Sequence, residues 1–212
     1  MMKEVFEIFT ERSSWFLELI LEHIGLAGTA ILIAGTAGLA IGIFLDRHQK
    51  CANVVLSIIS LFYTIPDIAM FGFLIPLTGI GGKTAIIALT IYALLPMVRN
   101  TYTGLGQVDP SILEAAVGMG STKAQVLFKV KLPVAFSVIL AGVRNMVVMT
   151  ISVAGIASFI GAGGLGKAIY RGISTNNPAL MVAGSLLIAL LAIFLDLLFG
   201  TFEKRVKKRW KM

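Results

Sequence analysis

Long apolar stretches separated by short polar segments dominate this chain. Five stretches approach the roughly 20 residues that a helix needs to cross the hydrocarbon core of a bilayer. They are residues 24–45, 52–77, 84–98, 134–160 and 179–200. The third is the shortest, and it extends through residues 101–105 if Arg99 snorkels to the interface. Because the stretches are apolar all round, the pattern predicts an all-α membrane protein with five transmembrane helices.

Composition leads to the same class of protein. Hydrophobic residues make up 57% of the 212 residues, charged residues only 14%, and the mean hydropathy is +0.91. Such a chain has too little polar surface to cover a soluble globule of this size. The net charge of +7 lies largely beside apolar spans and in the C-terminal tail. Anionic lipid headgroups therefore fit this charge better than nucleic acid, which we exclude as a partner.

Three regions follow from this pattern. Residues 1–22 carry glutamates where a signal peptide would carry basic residues, and their ragged apolar face predicts an interfacial helix. Residues 23–202 form the predicted membrane domain, and residues 203–212 form a basic tail. A single cysteine, Cys51, and two distant histidines predict no disulfide and no metal site.

The distribution of lysine and arginine predicts the orientation of the spans. With the N-terminus outside, twelve of the eighteen basic residues lie inside and five outside, while Arg144 lies within the fourth span. Basic residues concentrate on the cytoplasmic side of membrane proteins, so the count predicts an N-out, C-in topology. The connector between the third and fourth spans, residues 104–133, is then cytoplasmic.

The connector 104–133 carries the signals of two short helices joined by a corner. Asp109 is a candidate N-cap followed by Pro110 at the first helical position. Gly118 and Gly120 are expected to break this helix, with Gly120 at the corner. Ser121 is then expected to cap a second helix, and Pro133 to stop that helix. Structureless connections of this length are uncommon unless they have a role.

The same segment contains a recognisable sequence pattern. Glu114-Ala115-Ala116, Gly120 and Val130-Lys131-Leu132-Pro133 read as E-A-A-x3-G-x9-V-x-L-P. This pattern resembles the EAA loop of ABC importer permeases and departs from it in having Val130 where isoleucine is usual. The resemblance implies coupling to a cytoplasmic ATPase through Glu114, Ala115, Ala116, Gly118, Gly120, Ser121, Val130, Leu132 and Pro133.

A wider resemblance runs from Tyr63 to Gly166. Ile65-Pro66, the run from Tyr92 to Pro96 and the glycine-rich segment 161–166 are similar to the permeases that import glycine betaine, carnitine and choline. The resemblance implies the five-span core of the type I ABC importer fold in a bacterial plasma membrane. It also implies three partners: an ATPase dimer, a second permease copy or paralogue, and an extracellular substrate-binding protein. ATP and Mg²⁺ are then used by the ATPase, and this chain holds no cofactor.

Polar residues within the spans are candidates for the pore. Asp67 follows Pro66, where it either caps the second half of a broken helix or lines the route of a cationic substrate. Arg144 either pairs with Asp67 or faces a dimer interface. Tyr63 offers an aromatic face for a quaternary ammonium group. Asp196 is expected to snorkel or to pair with the basic tail.

Other functions have weaker support in the sequence. The segment 161–166 matches G-x-G-x-x-G, but it lacks a preceding strand, and Ala168 stands where a phosphate loop needs Ser or Thr. Its glycines fit a tight turn before a short helix instead. A secondary transporter or channel without an ATPase is the alternative, although no internal repeat of spans is evident. A membrane enzyme would need a catalytic constellation that the sequence does not offer.

Overall fold

The computed structural model describes residues 2–209, and nearly all of them are helical. The helices are α1 (Met2–Glu11), α2 (Ser13–Arg47), α3 (Gln49–Thr64), α4 (Asp67–Thr78), α5 (Gly82–Gly106), α6 (Pro110–Gly118), α7 (Lys123–Gln125), α8 (Leu132–Ala154), α9 (Gly166–Ser174) and α10 (Pro178–Arg209). A π-helical segment, Val126–Lys131, joins α7 to α8, and a 3₁₀ turn, Ile156–Ile160, follows α8.

Four helical rods are long and apolar enough to cross a membrane: α2, α5, the rod Lys123–Ala154 and α10. The pair α3–α4 gives a fifth span when it is counted as one, so the structure has four or five candidate spans where the sequence predicts five. The third span is longer than residues 84–98, because α5 continues to Gly106.

The second span is broken rather than straight. Helices α3 and α4 are inclined at 99° to each other across Ile65 and Pro66. Ile65 is extended, with φ −68° and ψ 130°, because the ring of a following proline disfavours the helical conformation. Pro66 also lacks an N–H group to continue the helical ladder. The dipeptide Ile65-Pro66 therefore ends one helix and orients the next.

The N-terminal region differs from the predicted single helix over residues 1–22. Helix α1 ends at Glu11, and α2 begins at Ser13, so residues 13–22 belong to the same rod as the first span. Val5 of α1 is buried in a cluster with Leu180 and Ala183 of α10. Helix α1 thus packs against both α10 and the start of α2, and the interfacial position of this region remains a prediction.

Helix α5 lies at the centre of the fold, packed between α2 and α8. Small residues let α2 approach it closely: a Cβ added to Gly42 would lie 2.5 Å from the Cβ of Thr101. In a bilayer, where water provides no drive for helices to associate, such close packing is a main source of association. This tightly packed core holds α5 in place. The connector begins at the end of α5, and helix α4, which follows the break at Pro66, packs against α5.

Candidate coupling segment and span-break pocket

The first helix of the connector begins as the sequence predicts. Asp109 is the N-cap of α6, and Pro110 occupies the first turn. The backbone N–H of Ser111 donates to Asp109 Oδ1 at 2.8 Å, and this bond lowers the pKa of the Asp109 carboxyl below its usual value. The cap satisfies a donor that the helix itself leaves without a partner.

The corner of the connector is a left-handed turn at Gly120. Gly120 has φ +82°, its N–H donates to the Val117 carbonyl at 2.9 Å, and the Ser121 N–H donates to the Ala116 carbonyl at 3.1 Å. This pair of bonds is the Schellman arrangement, in which a residue with left-handed backbone conformation ends the helix. Glycine adopts that conformation at low cost. No atom lies within 4 Å of a Cβ built at Gly120, so the corner faces open space.

The start of the second connector helix differs from the prediction by one residue. Thr122, not Ser121, is the N-cap of α7, and Thr122 Oγ1 accepts from the Gln125 N–H at 3.3 Å. The Gln125 side chain in turn accepts from the Thr122 N–H at 2.8 Å, which completes a capping box. Ser121 belongs to the preceding turn, so its backbone is already committed.

Pro133 does not stop the second helix, contrary to prediction. The rod continues from Lys123 to Ala154, and Pro133 lies in the first turn of α8. The preceding residues form a π-helical segment, in which the Leu132 N–H donates to the Leu127 carbonyl five residues earlier. The wider π turn accommodates a proline that would otherwise clash with the carbonyl four residues before it.

An ion pair that the sequence did not reveal ties the connector to the end of α2. Lys131 Nζ lies 2.7 and 2.8 Å from the two carboxylate oxygens of Asp46. Both side chains are largely buried. Near this pair lies a groove of about 610 Å³, lined by the α2–α3 turn and by connector residues that include Ser121 and Leu127. Lys131 and Asp46 are 85 residues apart, so the ion pair left no local signal in the sequence.

The predicted coupling residues lie together but differ in exposure. Ala116 is buried against the chain, whereas Glu114, Ala115, Gly118 and Gly120 are exposed. Ser121, Val130, Leu132 and Pro133 are half-buried. Large apolar side chains extend the exposed face: Ile112, Val117, Met119 and Phe128, of which Met119 is 81% exposed. This face offers apolar contacts and small residues in one place.

A pocket of about 420 Å³ lies beside the break in the second span. Tyr63 and Asp67 both line it, together with Tyr92 of α5 and Met149 of α8. The Tyr92 hydroxyl donates to the Ile65 carbonyl at 2.7 Å and so satisfies a group that the broken helix leaves free. Asp67 is the first residue of α4 and makes no capping hydrogen bond, so the predicted broken helix is present without the predicted cap.

Arg144 has a different partner from those considered in the sequence. Its Nε lies 2.6 Å from Asp196 Oδ1, and its second terminal nitrogen lies 2.7 Å from Asp196 Oδ2. Glu203 adds a third contact at 3.5 Å. Arg144 thus joins α8 to α10 and does not pair with Asp67, and Asp196 pairs with Arg144, whereas part of the tail lies outside the described residues. The sequence could not reveal a pair whose members are 52 residues apart.

The glycine-rich segment 161–166 is a turn before α9, as predicted. It is held by α2: the Gly164 N–H donates to Glu22 Oε2 at 2.8 Å, and the Leu165 N–H donates to His23 Nδ1 at 3.3 Å. These backbone donors are therefore committed to a carboxylate and an imidazole of the same chain. The contacts give the segment a structural role and leave no cradle for a phosphate group.

Comparison with known proteins decides the family. A family model described as "Binding-protein-dependent transport system inner membrane component" matches residues 18–208. This chain belongs to that family. It is a permease subunit of an ABC importer, which replaces the alternative of a secondary transporter or channel. The permease is a multi-pass protein of the plasma membrane and is not itself the catalytic component.

Two curated relatives and one solved structure give the resemblance its detail. The glycine betaine/carnitine/choline transport system permease protein OpuCD of Bacillus subtilis (strain 168) is 38% identical over 197 residues, covering 92% of this chain and 86% of the relative. EgtU of Helicobacter pylori (strain G27), named as an ergothioneine transport permease and binding protein, is 41% identical over 178 residues, covering 84% and 32%. The MetNI methionine ABC transporter in an inward-facing conformation shares the fold, with a TM-score of 0.84 at 23% identity, covering 92% of this chain and 98% of that chain.

Proposed function

We propose that this permease forms half of the translocation pathway of an ATP-driven importer for glycine betaine, carnitine and choline-type osmolytes. The substrate class rests on the permease relatives named for those compounds, of which OpuCD is one. The proposed partners are a cytoplasmic ATPase dimer, a second permease copy or paralogue, and an extracellular substrate-binding protein. ATP and Mg²⁺ act at the ATPase. A relative whose name joins permease and binding protein supports the last partner.

The connector 104–133 is the proposed coupling element, and one observation carries this assignment. The left-handed corner at Gly120 lies in open space beside an exposed apolar face that includes Val117 and Met119. A water-exposed apolar face of this kind marks a contact surface for another protein. In this proposal the ATPase dimer closes on ATP, displaces the connector and reopens the pathway outward.

Substitution of Gly120 tests the coupling role. Gly120→Val places a β-branched residue at positive φ, with strain of about 1–3 kcal/mol, and adds bulk where the ATPase docks. We expect transport and ATPase co-purification to be lost while membrane abundance is retained. Gly120→Asn tolerates the left-handed conformation and separates strain from close approach. If only backbone strain matters, Gly120→Asn couples normally to the ATPase. If the ATPase must approach the backbone closely, both variants lose coupling.

A matched control comes from Gly25→Val. Gly25 is also exposed, with no atom within 4 Å of a built Cβ, but its backbone is helical and lies in α2, outside the connector. It should couple normally. Full osmolyte uptake by Gly120→Val at wild-type abundance would contradict the coupling assignment.

The proposed orientation, N-out and C-in, rests on the count of basic residues. Cys51 is exposed and is replaced by serine first, which leaves a background without other cysteines. A cysteine at Lys123 should then react with a membrane-impermeant thiol reagent only after the cells are opened. A cysteine at Lys167, across the membrane in this topology, should react in intact cells. The reverse pattern would overturn the orientation.

A further inference from the structure

The two carboxylates within the predicted spans differ in how their charge is balanced. Asp196 forms two short contacts with the Arg144 guanidinium. Asp67 has no lysine, arginine or histidine within ion-pair distance among the residues whose side chains the structure describes. A carboxylate in a membrane span is costly and is usually balanced by a cation or exposed to a water-filled path. The charge of Asp67 is therefore left to be balanced by a cation or by water from outside the part of the chain that the structure describes.

Local polar groups compensate Asp67 only in part. It occupies the first turn of α4, where the helix N-terminus supplies about half a positive charge. The Tyr92 hydroxyl is within interaction distance of the carboxylate, but it donates its one proton to the Ile65 carbonyl at 2.7 Å. Neither contribution equals a full cation, so the pocket retains a net attraction for positive charge.

The walls of the pocket suit one kind of cation. Tyr63 and Tyr92 meet edge to face, with ring centroids 6.2 Å apart and planes at 74°. The Tyr63 hydroxyl contacts the Met149 sulfur at 3.3 Å, while 41% of the Tyr63 surface remains exposed. Aromatic faces attract quaternary ammonium groups, which have no N–H to donate and bind through electrostatics and dispersion. A small hydrated metal cation would instead need several oxygen ligands.

We propose that the pocket formed by Tyr63, Asp67, Tyr92 and Met149 binds the quaternary ammonium group of the substrate during transport and favours net cations over zwitterions. The inference rests on the proposed osmolyte function and adds a specificity to it. Choline carries a net positive charge, so Asp67 attracts the whole molecule. Glycine betaine and carnitine carry their own carboxylate, which Asp67 repels while it attracts the ammonium group. The charge of Asp67 therefore contributes most to the transport of choline.

The experiment compares choline and glycine betaine uptake by the complete transporter, with its ATPase and binding protein. Asp67→Asn removes the charge at nearly constant volume. We expect the choline uptake efficiency, Vmax/KM, to fall about tenfold more than that of glycine betaine, which is close to the effect of one charge contact about 4 Å away in a hydrated path. Asp67→Glu should restore the ratio. Tyr63→Leu should weaken transport of both substrates, since both carry the ammonium group.

Two controls keep the outcomes separate. Asp196→Asn alters a carboxylate that is already paired, so it should change both substrates equally through membrane abundance. ATPase activity stimulated by the binding protein reports whether the complex still couples. An unchanged choline-to-betaine ratio in Asp67→Asn overturns this inference alone, provided that the wild type transports both compounds. If the wild type transports neither, the proposed substrate class fails instead.

Discussion

Asp196 on α10 and Asp67 on α4 have the same type of side chain in two different environments. Arg144 holds Asp196 with two short contacts, and these join two spans, whereas Asp67 faces a pocket with no basic residue near it among the described residues. In the first arrangement the charge of the carboxylate is balanced by a guanidinium of the same chain. In the second arrangement the carboxylate charge is available to interact with another molecule. Pairing, more than residue type or depth, distinguishes a carboxylate that joins helices from one that is placed to bind a ligand.

The largest effect should come from Arg144→Leu, which makes Asp196 resemble Asp67. Removal of the guanidinium takes from Asp196 and Glu203, which both lie on α10, the contact that Arg144 of α8 makes to each of them. We expect membrane abundance to fall several-fold, measured by quantitative immunoblotting of membranes. Arg144→Lys keeps the charge but cannot form two parallel contacts, so it should have an intermediate effect. Wild-type abundance of Arg144→Leu would show that the pair does not hold α8 to α10.

A smaller effect is expected from Gly200→Val, which disturbs the same pair without removing charge. A Cβ at Gly200 would lie 3.0 Å from the Arg144 Cζ, so the guanidinium must shift away from its carboxylates. Thermal stability in detergent should decline less than in Arg144→Leu. Gly28→Val adds the same bulk to α2, where nothing lies within 4 Å, and should be close to neutral. Equal effects of the two valines would remove the steric argument.

The smallest effect concerns the pocket. Tyr92→Phe retains the ring beside Tyr63 but removes the hydrogen bond to the Ile65 carbonyl. We expect a loss of about 1 kcal/mol in stability, seen as a lower unfolding midpoint, because the carbonyl at the break loses its donor. Tyr102→Phe is the matched control, since the Tyr102 hydroxyl has no hydrogen-bond partner among the described residues. A larger loss in Tyr102→Phe would contradict the assignment.

Local chemistry made several features of this permease predictable. The helix break at Pro66, the cap at Asp109 and the left-handed corner at Gly120 all depend on a residue and its immediate neighbours. Pro133 misled the prediction, because a π-helical turn accommodates a proline and no local pattern announces that turn.

Contacts between distant helices could not be predicted. The Lys131–Asp46 and Arg144–Asp196 pairs depend on how each helix is rotated about its axis and where it crosses its neighbour. Hydrophobic periodicity normally reveals that rotation, but these spans are apolar all round and show no preferred face. The two-helix outline of the connector was predictable, whereas its ion pair with Asp46 of α2 was not.

The unbroken rod from Lys123 to Ala154 has a mechanical consequence. At 1.5 Å per residue it extends about 12 Å from Lys123 to the anchored Lys131 and about 27 Å from there to Met149 at the pocket. A rod held at Lys131 by Asp46 is a lever with arms in a ratio of roughly one to two. If the rod turns as one body about that ion pair, a displacement of about 1 Å at its connector end corresponds to about 2 Å at the pocket wall.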